Sequence, residues 1–113
     1  MQDCIFCRVA GGELPATVVE RDGDALAIED VNPQAPVHLL VLPTAHYATL
    51  EELLRQSPEM ATHLVRIATK LGRQRGGESG FRLVVNTGTD GGQTVGHVHI
   101  HVLAGRPMTW PPG

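Results

Sequence analysis

The stretch HVHIHVL, residues 97–103, alternates polar and apolar side chains without a break from His97 to Val102. Successive side chains on a β-strand point to opposite faces, so the alternation predicts a strand over residues 96–103. Its apolar face, Val98, Ile100 and Val102, belongs to a core. Its other face carries His97, His99 and His101. A solvated strand face is one reading of these imidazoles, although Lys, Glu or Thr serve that role more commonly. A shared metal ion is a second, since neutral imidazole is a common ligand. The third is nucleophilic catalysis, in which one ring attacks while its neighbours orient it and donate to the developing charge.

The segment leading into the strand, NTGTDGGQTVG over residues 86–96, favours the third reading. Gly88, Gly91, Gly92 and Gly96 allow the backbone to turn sharply and approach a ligand. Successive N–H groups in such a loop can form a concave anion site, and Asn86 and Thr94 add side-chain donors. A long hairpin loop would look similar, but placed directly before the histidines it can hold the non-bridging oxygens of a phosphate. A phosphorus centre bearing negative oxygens repels anionic nucleophiles, whereas a neutral imidazole avoids that repulsion and forms an adduct reactive toward water. Preorganised donors around the oxygens stabilise the charge that develops.

Further upstream the pattern predicts alternating short elements. Ser57-Pro58 is a good N-cap and first helical residue, and Met60, Leu64, Ile67 and Leu71 share one helical face. Arg73 and Arg75 suit the C-terminal dipole of that helix, and Gly76-Gly77 ends it. A shorter helix is expected over Leu50–Leu54, and another over Ile5–Ala10 before Gly11-Gly12. Thr17–Arg21 and Ala25–Glu29 read as two strands joined by the tight turn Asp22-Gly23-Asp24. Asn32-Pro33-Gln34-Ala35-Pro36 reads as a loop. Val37–Leu42, nearly all apolar, suits a central strand closed by Pro43, and Phe81–Val85 supplies another. The expected fold is α+β: an antiparallel sheet with one long and one or two short helices.

The 113 residues fit a single domain over 1–113. With 42% apolar and 19% charged residues the chain has the composition of a folded protein. A net charge of −3 argues against a nucleic-acid polymer or an acidic membrane surface as partner. No apolar run is long enough for a membrane span, and Met1-Gln2-Asp3-Cys4 lacks the basic start of a signal peptide. A reducing cytoplasm is therefore expected, where Cys4 and Cys7 read as a metal or redox pair more than as a disulfide. No thioredoxin-like βαβ context accompanies them, which disfavours the redox role. No organic cofactor is expected.

These residues carry a resemblance. HVHIHVLAGRP, residues 97–107, resembles the signature of the histidine-triad family, H-x-H-x-H followed by two apolar residues. ALAIEDVNPQAPVHLLVLP, residues 25–43, resembles the strand–loop–strand that holds the nucleoside in the Hint branch of that family. DGGQTVGHVHIHVLAGRPMTWPPG, residues 90–113, resembles the Hint C-terminal half, and IFCRVAGGELPA, residues 5–16, its start. The third alternate position is His101 and not the Gln of the nucleotidylyltransferase branch.

The resemblance implies the histidine-triad α+β fold and a homodimer whose sheets join across the two-fold axis. It implies hydrolysis of nucleoside phosphoramidates and related adenylates, with a purine nucleotide as substrate, through a covalent nucleotidyl-histidine. His99 matches the nucleophile, His101 the histidine at the phosphate, His97 the supporting first histidine, and His38 the buried histidine behind the triad. Asn86, Gly92, Gln93 and Thr94 match phosphate-side positions, and Asp30 the acidic residue for the ribose hydroxyls. Ile5, Phe6, Val9, Leu14, Ile28, Val31 and Leu40 match the apolar lining around the base. Trp110 matches a tail residue that reaches the partner protomer's site. Gly96 stands where a Tyr is common, Thr94 where Ser is frequent, and Ile28 in place of an aromatic, which implies a more open mouth and weaker base stacking.

Cys4, Cys7, His46 and His97 match a zinc-binding set found in some bacterial members, which implies a closed tetrahedral structural site. With His97 on zinc, the catalytic strand would be tied to the N-terminus. His63 receives no role. Dinucleoside polyphosphate hydrolysis, and nucleotide binding or scaffolding without chemistry, are the alternative functions.

Overall fold

Each helix starts where a side chain can satisfy its first free amides. Thr49 and Ser57 accept from the N–H of Glu52 and Met60 and open α2 (Leu50–Gln56) and α3 (Pro58–Gly76). Cys4 Sγ accepts from Cys7 N–H at the start of α1 (Ile5–Ala10). A single 3₁₀ turn over Gly77–Ser79 follows α3. The strands are β1 (Val18–Asp22), β2 (Ala25–Glu29), β3 (Val37–Pro43), β4 (Phe81–Val84) and β5 (Ile100–Ala104). They form one sheet in the order β1-β2-β3-β5-β4, with every neighbouring pair antiparallel. This is the expected α+β class. The computed structural model describes residues 4–113, so the reading of Met1-Gln2-Asp3 as no signal peptide lies outside the described residues.

The two faces of the sheet bury separate cores, as strands with almost no polar positions require. Ala25, Ala27, Leu39, Val41, Ile100 and Val102 face α2 and α3, where they meet Leu53, Leu64, Ile67 and Leu71. The predicted apolar stripe of α3 is thus the one that packs. Leu26, Ile28, Leu40 and Leu42 face the other way, against Phe6 of α1. His38 and His101 point to this second side, because each lies an even number of residues from Leu40 or one residue from a core-facing neighbour.

The last strand is shorter than the expected 96–103. Pairing begins at Val41↔Ile100 on one side and Val84↔His101 on the other. Ahead of it, the chain meets the segment following β3 and not a ladder. Pro43 has no N–H to offer, Val98 N–H donates to Tyr47 O at 2.7 Å, and Pro43 O is taken by the His97 ring at 2.8 Å. The alternation nevertheless persists. Val98 lies in the α3-side core with Ile100 and Val102, while Phe6 stacks edge-on against both His97 and His99.

Candidate active site and metal centre

The second face of the sheet carries a cluster of histidines. His38 from β3, His101 from β5 and His99 just before β5 form a contiguous group, with ring centroids 5.2 Å apart for His38 and His101 and 4.9 Å apart for His99 and His101. His38 and His99 are buried and His101 is half-buried. Their proton positions follow from groups that can act in one sense only. The Gln34 backbone N–H donates to His38 Nδ1 at 3.0 Å, so that nitrogen is an acceptor and the neutral ring carries its proton on Nε2. His38 Nε2 lies 2.9 Å from His101 Nδ1 and therefore donates to it. His101 Nδ1 is then the acceptor, and its Nε2 bears the proton. His99 Nδ1 lies 2.7 Å from the His97 carbonyl and must donate to it, which leaves the lone pair on His99 Nε2.

Burial keeps these rings neutral. It pushes His38, His97 and His99 below the ordinary imidazole value, and it pushes His101, flanked by His99 and His38, down to about 4. Asp30 Oδ2 stands 3.3 Å from His38 Nε2 and opposes the shift without reversing it, so the contact joins a neutral N–H to a carboxylate. Asp30 Oδ1 accepts from Asn32 N–H at 2.8 Å. Each carboxylate oxygen retains a lone pair for a hydroxyl group.

A cleft of about 380 Å³ opens between α1 and the sheet beside these rings. Ile5, Phe6, Val9, Leu14, Ile28, Asp30, Val31, Leu40, Thr94, His99 and His101 line it, all anticipated from the sequence. Pro15, Ala16, Glu29 and Val95 line it as well and were not anticipated. Nothing in their residue types distinguishes them: Pro15, Ala16 and Glu29 enter through the path of the chain around α1 and β2, and Val95 through the segment ahead of β5. One end is apolar and the other holds the carboxylate and imidazoles, which suits a ligand with an aromatic end and a polar end. A second cleft of about 400 Å³ lies on the far side of the sheet between α2 and α3. Its lining is aliphatic apart from Thr62 and Arg66, and no titrating cluster faces it.

Three amides of the glycine-rich segment are engaged within the loop itself. Gly92 N–H donates to Thr89 O, Gln93 N–H to Gly88 O, and Gly88 N–H to Gln93 Oε1 at 3.1, 3.0 and 3.0 Å. These amides close the loop on itself and are not free for a phosphate. Gln93 Nε2 donates to Ala48 O and Val95 O at 2.7 and 3.0 Å, so its side chain braces the loop. Gly92, at φ +84°, is a turn former, and a Cβ on Gly91 would sit 2.2 Å from Thr87 O. Gly92 and Gln93 therefore shape the approach and do not line the cleft. Asn86 is half-buried beside Gly92, also outside the lining, and Thr94 and Val95 are the loop residues that reach it. Trp110 is 83% exposed and touches no part of the cleft within this chain.

At the other end of α1 a second cluster forms. Cys4 Sγ is 3.3 Å from His97 Nδ1, Cys7 Sγ is 3.3 Å from His46 Nδ1 and 3.5 Å from His97 Nδ1. The four donor atoms lie within 4.8 Å of one another. In a tetrahedral zinc site with bonds of about 2.0–2.3 Å, donors stand roughly 3.3–3.8 Å apart, so the donor set and spacing fit that ion. His97 Nε2 donates to Pro43 O, which directs the Nδ1 lone pair at the thiols. Burial, with Cys4 adjacent, pushes the Cys7 thiol up, and a cation reverses that by taking the thiolate. The His97 ring thus faces the thiols, while its carbonyl accepts from His99 Nδ1. Among the described residues, no helix is long and apolar enough to cross a membrane.

A family model described as HIT domain matches residues 11–108. The chain belongs to the HIT domain family. An uncharacterized HIT-like protein of Synechococcus elongatus is 45% identical over 112 residues, covering 99% of this chain and 98% of that protein. A protein of Zea mays named 14 kDa zinc-binding protein is 40% identical, covering 96% of this HIT protein and 87% of the maize one. The crystal structure of a HIT family hydrolase from Legionella pneumophila superposes with a TM-score of 0.93 at 47% identity, covering 98% of this chain and 100% of that one.

Proposed function

We propose that this HIT protein hydrolyses purine nucleoside phosphoramidates and adenylates at the α-phosphorus, through a nucleotidyl intermediate on His99. The observation that carries the reading is the proton order of the histidines. His99 Nδ1–H is held by the His97 carbonyl, which leaves Nε2 as a neutral nucleophile in the cleft wall. His101, held from behind by His38, offers Nε2–H to a phosphate oxygen.

The base lies among Ile5, Phe6, Val9, Leu14, Ile28, Val31 and Leu40, and Asp30 accepts from the ribose hydroxyls. His99 Nε2 attacks phosphorus and forms the P–N bond to the ring. The bond from phosphorus to the leaving nitrogen breaks, and the amine departs after taking a proton from solvent. Water then attacks phosphorus and gives up its proton to solvent, the bond to His99 Nε2 breaks, and the nucleoside monophosphate leaves with the ring neutral and its Nδ1–H still on the His97 carbonyl. Thr94 and His101 donate to the non-bridging oxygens in both steps, with Asn86 at the rim.

Zinc on Cys4, Cys7, His46 and His97 supplies a structural cross-link between α1 and the chain ahead of β5. The Zea mays relative's name supports that assignment. The Hint branch is supported by the C-terminal sequence through Trp110-Pro111-Pro112-Gly113, and with it the homodimer in which Trp110 approaches the partner's cleft. Reduced, unbridged Cys4 and Cys7 suit the cytoplasm.

Steady-state hydrolysis of an adenosine phosphoramidate tests the reaction. Wild type is expected to release the amine, and His99→Ala to lose roughly 10⁴-fold or more in kcat. Faster turnover of a dinucleoside polyphosphate than of the phosphoramidate would replace the substrate assignment. AMP binding without turnover of either would leave a nucleotide-binding protein.

A further inference from the structure

We infer that Arg106, just beyond β5, is a positioning residue for this reaction: its grip on Gln34 fixes the tautomer of His38 and thereby makes His101 a donor. The inference rests on the reaction proposed above. Arg106 Nε and Nη2 both donate to the Gln34 carbonyl, at 3.1 and 3.0 Å, and Nη1 donates to Pro107 O at 3.0 Å. Two parallel prongs on one oxygen restrict its direction in a way a single ammonium cannot. Gly105 reinforces the contact. It sits at φ +92°, and a Cβ there would lie 2.8 Å from Cβ of Pro36 in the same loop. Two consecutive residues after β5 therefore clamp the loop that precedes β3.

On the inner side of that loop the Gln34 N–H points at His38 Nδ1. The gripped carbonyl and the donating N–H flank one Cα, so anchoring the carbonyl limits how far Gln34 and its N–H can move away from His38. The remaining ties of the loop are Asp30 N–H to His38 O across its base, Asn32 N–H to Asp30, and Gln34 Nε2 to Asn32 O, and none of them engages the Gln34 backbone. A His38 ring without the Gln34 N–H loses the donor that holds Nδ1 as an acceptor; the Asp30 carboxylate, 3.3 Å from Nε2, still favours the Nε2–H form, so the two tautomers compete, and wherever the proton moves to Nδ1 the Nε2 accepts. His101 Nδ1 must in that case donate, and its Nε2 turns a lone pair toward the phosphate oxygens. A lone pair facing developing negative charge opposes the transition state, whereas Asp30, though it loses the His38 N–H, keeps the Asn32 N–H and its lone pairs for the ribose. The effect of Arg106 therefore falls on kcat and not on KM.

Imidazole ¹⁵N spectra of the full chain read each tautomer without substrate, alongside steady-state rates on the phosphoramidate. Wild type is expected to hold His38 in the Nε2–H form. Arg106→Ala is expected to give a mixed His38 signal and to lower kcat about tenfold or more, with KM within about twofold. Arg106→Lys recovers part of both. Arg82→Ala is the control, because Arg82 Nη2 makes another tail contact, to Thr109 O at 2.9 Å. It is expected to keep the wild-type tautomer and rate. An unchanged His38 tautomer in Arg106→Ala overturns the inference whatever the activity, and so does an equal loss in Arg82→Ala. A shifted tautomer in Arg106→Ala together with no phosphoramidate turnover by wild type supports the clamp and counts against the reaction.

Discussion

His101 depends for its chemistry on the ring behind it. Its Nε2–H exists because His38 donates to its Nδ1, and burial holds the pair neutral. His101→Gln keeps a donor of shorter reach and is expected to lower kcat by about 10²-fold, as removal of a preorganised donor does. Measuring kcat and KM separately checks this, since a loss confined to KM would place His101 in ground-state binding. The same ring gives a pH signature in stability. Folded His101 titrates near 4, against about 6.5 in the unfolded chain. The unfolded chain therefore binds more protons between these values, so its contribution is complete above about pH 6.5 and is lost as pH falls through about 4. Denaturation midpoints across that window should fall less steeply for His101→Gln than for wild type, and parallel slopes would contradict the assignment. Alternation along the strand revealed His97, His99 and His101, and the family resemblance proposed His38 and Asp30. Neither could reveal the Gln34 N–H that sets the tautomers, because every residue but proline carries such a group and only position selects this one.

Among the elements, periodicity located the helices and the central strands. The stripe of α3 and the caps at Ser57-Pro58 are local facts, and α1 and β2 lie where the sequence placed them. The last strand was legible in its facing and not in its length. Its start depends on where β3 and β4 can pair, and Pro43 removes an amide at that point. The glycine loop was legible as a turn and not in its bonding: glycine content shows that a chain can turn, not which of its amides the turn consumes. Gly72 of α3 makes a testable case at this scale. Alanine there should gain about 1 kcal/mol in helix propensity, but its Cβ would lie 2.5 Å from the Phe81 ring on edge strand β4. Overpacking of that kind costs about 1–3 kcal/mol. Gly72→Ala is expected to be destabilised by about 1–2 kcal/mol in chemical denaturation, and a stabilised variant would show that β4 yields freely.

Across the whole molecule, α1 couples the two centres. Cys4 and Cys7 bracket Phe6, which packs on both His97 and His99. No spacing in the sequence joins Cys7 to His46 and His97, since the fold alone brings them together, and only the family resemblance proposed the set. Protein purified without chelator is expected to hold about one zinc ion per chain. Cys4→Ser is expected to lower that content severalfold and to reduce Tm by several degrees. Metal content near zero in wild type would remove the centre. The central claim, that His99 Nε2 carries the nucleotide, is tested most directly by intact mass after an acid quench during turnover of an adenosine phosphoramidate. The account predicts one adenylyl group per chain, mapped to the peptide containing His99 and missing in His99→Ala. Turnover by wild type with no adduct, or an adduct that survives in His99→Ala, would contradict it.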